Sequence, residues 1–140
     1  MSKAIVYKTT HRILFSDLDP YDHVSTANYA TYFVDHRMAG LSENLGWDVA
    51  ALRTLSFMMF VRKMEIDFVR PAQGGQEIVI TSFVRDFQGA DAIIELNMVD
   101  AKGRTLSRCV MTCAHVDRQT QRASDWPADV AALFFEKASD

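Results

Sequence analysis

The sequence predicts an α+β fold in which an antiparallel sheet curls round one long helix. Three observations carry this reading. One long, largely apolar helical pattern follows a single strand-like segment near the start of the chain. The rest alternates with period two, interrupted by short turns. Short connections force antiparallel pairing, and segregation of the helix from the run of strands marks α+β rather than alternating βαβ. With 140 residues, one domain spanning 1–140 is expected, long enough to bury a core and too short for two comfortable ones.

Residues Ile5 to Phe15 mix β-branched and aromatic types, which suggests a first strand. Ser25 or Thr26 can cap a helix running to about Leu45, with Gly46 placed to end it. That is roughly 30 Å of helix at about 1.5 Å per residue. Its apolar positions Tyr29, Tyr32, Phe33, Val34, Met38 and Leu41 cover more than one stripe, which predicts a helix enclosed by other structure.

Met58, Phe60, Met64, Ile66 and Phe68 alternate with Lys63, Glu65 and Asp67, and Pro71 with Gly74-Gly75 closes this strand. Ile78 to Val84 alternates apolar with apolar or small residues, so both faces of that strand can be covered. Ala92 to Met98 forms another strand, Asp100 to Gly103 a turn, and Thr105 to Asp117 the last strand. A small helix from Ala128 to Lys137 is expected after Pro127.

Composition narrows the function classes. The chain is 49% hydrophobic and 24% charged with net charge −3, the range of an ordinary globular protein. Its Lys and Arg are scattered, which argues against a general nucleic-acid binder. No stretch is apolar and long enough to span a bilayer or to read as a secretory signal, so no membrane partner and a cytoplasmic location are expected. Cys109 and Cys113 fall in one strand, where four residues separate their Cα atoms by roughly 13 Å. A disulfide needs less than about 7 Å, so both read as small apolar side chains. No paired His or Cys stands at metal-ligand spacing, and neither a metal nor a cofactor is expected.

The chemistry concentrates in the stretch from Phe15 to Tyr29, where Asp17, Asp19 and His23 crowd a proline-containing turn just before the helix. The first N–H groups of a helix lack partners and carry the positive end of its dipole. A carbonyl aimed there is polarised, and an oxyanion formed on it is stabilised. A carboxylate a few residues upstream adds a base or nucleophile, the second part of an acyl-transfer site. The plain reading stays open beside this, since Asp before Pro commonly opens a turn. Asp17 is expected to order the turn through backbone N–H groups. His23 either holds the carboxylate, lines the site or is a structural donor. Asp22 tolerates a positive φ better than most residues if the turn needs one there.

Asp17-Leu18-Asp19, Asp22-His23-Val24 and Asn28-Tyr29 stand at spacings that closely resemble the 4-hydroxybenzoyl-CoA thioesterase-like branch of the hotdog-fold superfamily. Asp22 departs from its pattern, where relatives often carry Gly. The resemblance implies a single hotdog fold and a thioesterase that hydrolyses a small or medium acyl-CoA, aryl ones included, to free acid and CoA. It also implies a homodimer or homotetramer. Asp19 would be nucleophile or general base, and the backbone N–H of Thr26 the oxyanion donor. Asn28 matches the helix asparagine that braces the turn, and Tyr29 a core or pocket-wall residue. The acyl pocket should draw on the helix and on the strand around Met58 and Phe60, although these also fit a plain core. Two alternatives remain open: a non-hydrolytic acyl-CoA-binding module on the same fold, and a hotdog dehydratase, for which no motif is present.

Overall fold

In a computed structural model, which describes residues 2–137, five strands form one antiparallel sheet: β1 (Tyr7–Arg12), β2 (Phe57–Phe68), β3 (Glu77–Gln88), β4 (Asp91–Val99) and β5 (Thr105–Asp117). Met1 and residues 138–140, the ends of the expected 1–140 domain, lie outside the described residues. The strand order is β1-β3-β4-β5-β2. β3, β4 and β5 follow one another as hairpins, as short connections require. The link between β2 and β3 does not make a hairpin. β2 pairs with β5 at one edge, and β3 pairs with β1 near the other.

The long helix α1 (Thr26–Leu45) has Ser25 at its N-cap and Gly46 at its C-cap, the predicted ends. Gly46 adopts φ 69°, and the N–H groups of Gly46 and Trp47 donate to Ser42 O (3.0 Å) and Leu41 O (3.2 Å). This double closure satisfies the last helical carbonyls and requires a left-handed residue. The buried side of α1 is a single stripe of Tyr29, Tyr32, Phe33, His36, Arg37, Gly40 and Leu41, spaced three and four residues apart. The expectation of an enclosed helix is corrected: α1 lies on one face of the sheet and exposes Thr31, Asp35 and Ser42. Counting apolar residues alone had overlooked His36, Arg37 and Gly40. At Gly40, an added Cβ would stand 2.4 Å from Tyr7 Cδ2, so the missing side chain is what lets β1 pack this closely on the helix.

Three further differences have local causes. A bulge at Arg62 places Val61 opposite Cys113 but Lys63 opposite Thr112. One extra residue swaps the faces of a strand, so Phe57 and Met59 face the core before the bulge and Met64 and Ile66 after it, while Phe60 is 62% exposed. The C-terminal helix is a short α turn, Ala128–Ala131, continued by a 3-10 turn to Phe134. It stops there because Phe135 turns extended to bridge Ala4, and Ile5 N–H donates to Phe134 O (3.0 Å). The first strand likewise ends at Arg12, and Phe15–Asp17 coils into a 3-10 turn.

Candidate active site

The segment from Leu14 to Tyr29 is held at three levels. Backbone bonds run from Ser25 N–H to Asp17 O (2.9 Å), from Asp19 N–H to His23 O (2.7 Å) and from Val24 N–H to Ala72 O (2.8 Å). They tie the turn to α1 and to the loop before β3. Tyr29, buried and edge-on to Phe68, accepts the Ala72 N–H on its hydroxyl (3.0 Å) and so fixes that loop from the helix side. Asn28 Nδ2 donates to Asp17 O (3.1 Å) and to Ser25 Oγ (2.8 Å), a brace across the helix entry.

The two acids take different partners from those their positions suggested. Asp17, expected to order the turn through backbone groups, instead accepts the Tyr32 hydroxyl on Oδ2 at 2.6 Å. Burial, reinforced by this bond, pushes the Tyr32 pKa up to about 12. Asp19 Oδ1 takes the backbone N–H groups of Tyr21 (2.8 Å) and His23 (3.2 Å). Its other oxygen has no protein donor among the described residues. Asp22 sits at φ 63°, the left-handed conformation that the turn demands. His23 is half-buried and bridges Gln73 through its backbone; its ring makes no hydrogen bond among the described residues.

At the start of α1, Thr26 and Ala27 are exposed, and their N–H groups have no acceptor among the described residues. Two unpaired donors at the positive end of a 20-residue helix thus open to the surface close in sequence to the anchored Asp19 carboxylate. This is the arrangement an acyl-transfer reaction needs: a carboxylate held by its backbone, and donors for a developing oxyanion.

A cavity of about 400 Å³ lies between the second half of α1, the short helix α2 (Val49–Leu52) and the start of β2. Met58, Met59, Phe57, Met38, Val34 and Trp126 contribute its apolar walls. Of the residues the sequence singled out, Met58 lines this cavity, whereas Phe60, Asp19 and Thr26 lie outside its lining. Sequence reasoning missed Arg37, which also lines it, and the buried chain of polar groups behind it. Thr9 Oγ1 lies 2.6 Å from His11 Nε2 and 2.7 Å from His36 Nδ1; His36 Nε2 lies 2.6 Å from Ser82 Oγ; and Arg37 Nη1 donates to Ser82 Oγ at 2.9 Å. The available signal was spacing, because His36 and Arg37 continue the stripe set by Tyr29, Tyr32 and Phe33. Burial, with the neighbouring Arg37 charge, lowers the His36 pKa to about 3. Cys109 and Cys113 are free and buried, and burial raises their thiols to about 12 and 11, far from thiolate chemistry. Among the described residues no group of three or more His, Cys, Asp or Glu side chains could hold a metal ion. No described helix is long and apolar enough to cross a membrane.

A five-stranded antiparallel sheet with one long helix on its face is the arrangement of a hotdog-fold protein. The chain belongs to the thioesterase-like superfamily, which matches residues 13–134. It is 25% identical over 107 residues to the long-chain acyl-CoA thioesterase FadM of Escherichia coli K12, covering 76% of this chain and 80% of FadM. In fold it is similar to SAV2348 of Staphylococcus aureus, solved in complex with CoA, with a TM-score of 0.83 at 14% identity over 99% of this chain and 91% of that one. The DHNA-CoA thioesterase of Staphylococcus aureus superposes with a TM-score of 0.80 at 14% identity, over 92% and 88% of the two chains.

Proposed function

We propose that this thioesterase-family enzyme hydrolyses acyl-CoA thioesters to free acid and CoA, with the thioester carbonyl at the Thr26 end of α1 and Asp19 as the reacting carboxylate. The observation that carries this is the anchoring of Asp19: one oxygen is bound by two backbone N–H groups while the other has no protein donor among the described residues. As nucleophile, that oxygen attacks the carbonyl carbon, and the oxyanion is stabilised by the Thr26 N–H. Collapse expels CoA thiolate and leaves a mixed anhydride for water to cleave. As base, the same oxygen takes a proton from the attacking water. His23 stands beside this turn as a supporting residue, and Asn28 and Tyr29 hold the turn and its neighbouring loop in place.

The acyl group would be of small or medium size, aryl ones included, as in the 4-hydroxybenzoyl-CoA branch. A cavity of about 400 Å³ walled in part by Met58 fits such a group. By their names, FadM takes long-chain acyl-CoA and the DHNA-CoA thioesterase takes DHNA-CoA. Phe60, 62% exposed, and Phe68, 51% exposed, lie on β2, an edge strand, and a second copy pairing there would cover them. A homodimer through β2, or a tetramer of two such pairs, in the cytoplasm is the assembly we favour.

In the alternative, a non-hydrolytic acyl-CoA-binding module on the same fold, the Asp19 carboxylate would build its turn without reacting. Thiol release from a panel of short, medium, branched and aryl acyl-CoAs separates the two. Asp19→Asn should cut hydrolysis by at least about a hundredfold, the low end for losing an acid–base group. Binding across the panel without thiol release would favour the module, and full activity in the variant would move the reacting carboxylate elsewhere.

A further inference from the structure

The cavity behind Met58 has a charge pattern that a plain hydrocarbon chain does not explain. Arg37, Arg53 and Arg118 line it, and no Asp or Glu does. Arg53 and Arg118 are exposed, and the Arg118 guanidinium is already occupied by the carbonyls of Leu52 (3.1 Å) and Leu55 (2.8 Å). Arg37 differs from both. It is 7% exposed and has no carboxylate partner among the described residues. Within those residues its guanidinium makes one hydrogen bond, from Nη1 to Ser82 Oγ, and stacks 4.5 Å over the Tyr7 ring. Nε and Nη2 have no acceptor among the described residues, and neither is sealed from solvent.

A largely buried guanidinium with no carboxylate partner is ordinarily matched by an anion. The groups around Arg37 supply none. His36, through Ser82, is a neutral imidazole. Arg37 therefore stands at the wall of a largely apolar space as a charged donor with no carboxylate to match it.

We propose that this cavity receives the far end of an acyl chain that carries a carboxylate there, so that the substrate class is the CoA thioester of a dicarboxylic acid and Arg37 is the specificity-determining residue. The proposal rests on the thioesterase reading above and adds the acyl class. From Thr26 to Arg37 is eleven residues of α1, about 16 Å along the axis at about 1.5 Å each. Long side chains lean toward the helix N-terminus, which shortens the span. A chain with its carbonyl at Thr26 and its carboxylate at Arg37 of the same subunit is thus of medium length. A methyl-terminated chain of equal length would keep the guanidinium desolvated and unpaired, the condition under which a polar site rejects an apolar analogue.

The test compares matched CoA thioesters of equal length, one ending in a carboxylate and one in a methyl group. The wild-type protein should favour the carboxylate by at least about tenfold in kcat/KM, expressed mainly through KM. Arg37→Met should bring that ratio to about one or below. A wild-type ratio of one or less, or a ratio unchanged in Arg37→Met, overturns the assignment. Calorimetric titration of the wild-type protein with the free dicarboxylic and monocarboxylic acids needs neither turnover nor a folded variant. Tighter binding of the dicarboxylate by a chain that hydrolyses no thioester would sink the hydrolase and leave the cavity assignment standing. Turnover restricted to methyl-terminated thioesters, with no preference between the free acids, would do the reverse.

Discussion

The Tyr32 hydroxyl donates to Asp17 Oδ2 at 2.6 Å and accepts the Leu14 N–H at 3.2 Å. One side chain from the second turn of α1 thus clamps both ends of the 3-10 turn that leads to Asp19.

Removing that clamp should be felt in stability and in activity together. Tyr32→Phe deletes a hydrogen bond to a carboxylate, worth about 1.5–3 kcal/mol, and releases the turn that positions Asp19. Urea unfolding gives the first effect, and thiol release the second. The folded-state pKa of Tyr32 is raised, to about 12. Its stabilising contribution is therefore complete below the unfolded value of about 10 and is lost as pH climbs from there to about 12. The wild-type protein should show this alkaline loss, and Tyr32→Phe should show less of it.

His36 gives the opposite sign. Its folded-state pKa is depressed to about 3, below the unfolded value of about 6.5, so the unfolded chain binds the proton first. Its contribution to stability is complete above about pH 6.5 and declines as pH falls toward 3. Between about pH 6.5 and 5, before most carboxylates titrate, proton uptake on unfolding at this site should rise from about half a proton to nearly one. Urea midpoints measured across that window in wild type and His36→Gln isolate it: the wild-type slope should flatten in the variant, and an unchanged slope would place the proton elsewhere.

Gly40 should resist replacement even though alanine is the better helix former. The gain in helix propensity is about 1 kcal/mol, but the new Cβ would stand 2.4 Å from Tyr7 Cδ2 and 2.8 Å from Cγ. Overpacking of this kind costs about 1–3 kcal/mol, and shifting the Tyr7 ring disturbs the stack under Arg37. Gly40→Ala is expected to lower the urea midpoint; a rise would mean that the ring moves aside freely.

Much of this molecule was readable along the chain. The bounds of α1 followed from Ser25 and Gly46, and the span of β5 from the run between Thr105 and Asp117, because caps and short-period alternation act within a few residues. The bulge at Arg62 was not readable, since residues 57–61 are apolar at every position and record no face, while the ladder with β5 slips by one. The partner of the Asp17 carboxylate was hidden for the same kind of reason: it depends on where Tyr32, fifteen residues away, brings its hydroxyl.

The fold class, the ends of the long helix and the acidic segment ahead of it could all be read along the chain, because each depends on backbone chemistry between near neighbours. Only the tertiary structure decided which strand lies at the sheet edge, which oxygen of Asp19 is occupied, and that Arg37 stands buried without an anion. Those are set by side chains from β1, β3, β5 and α1 converging in space, and local spacing carries no record of such convergence.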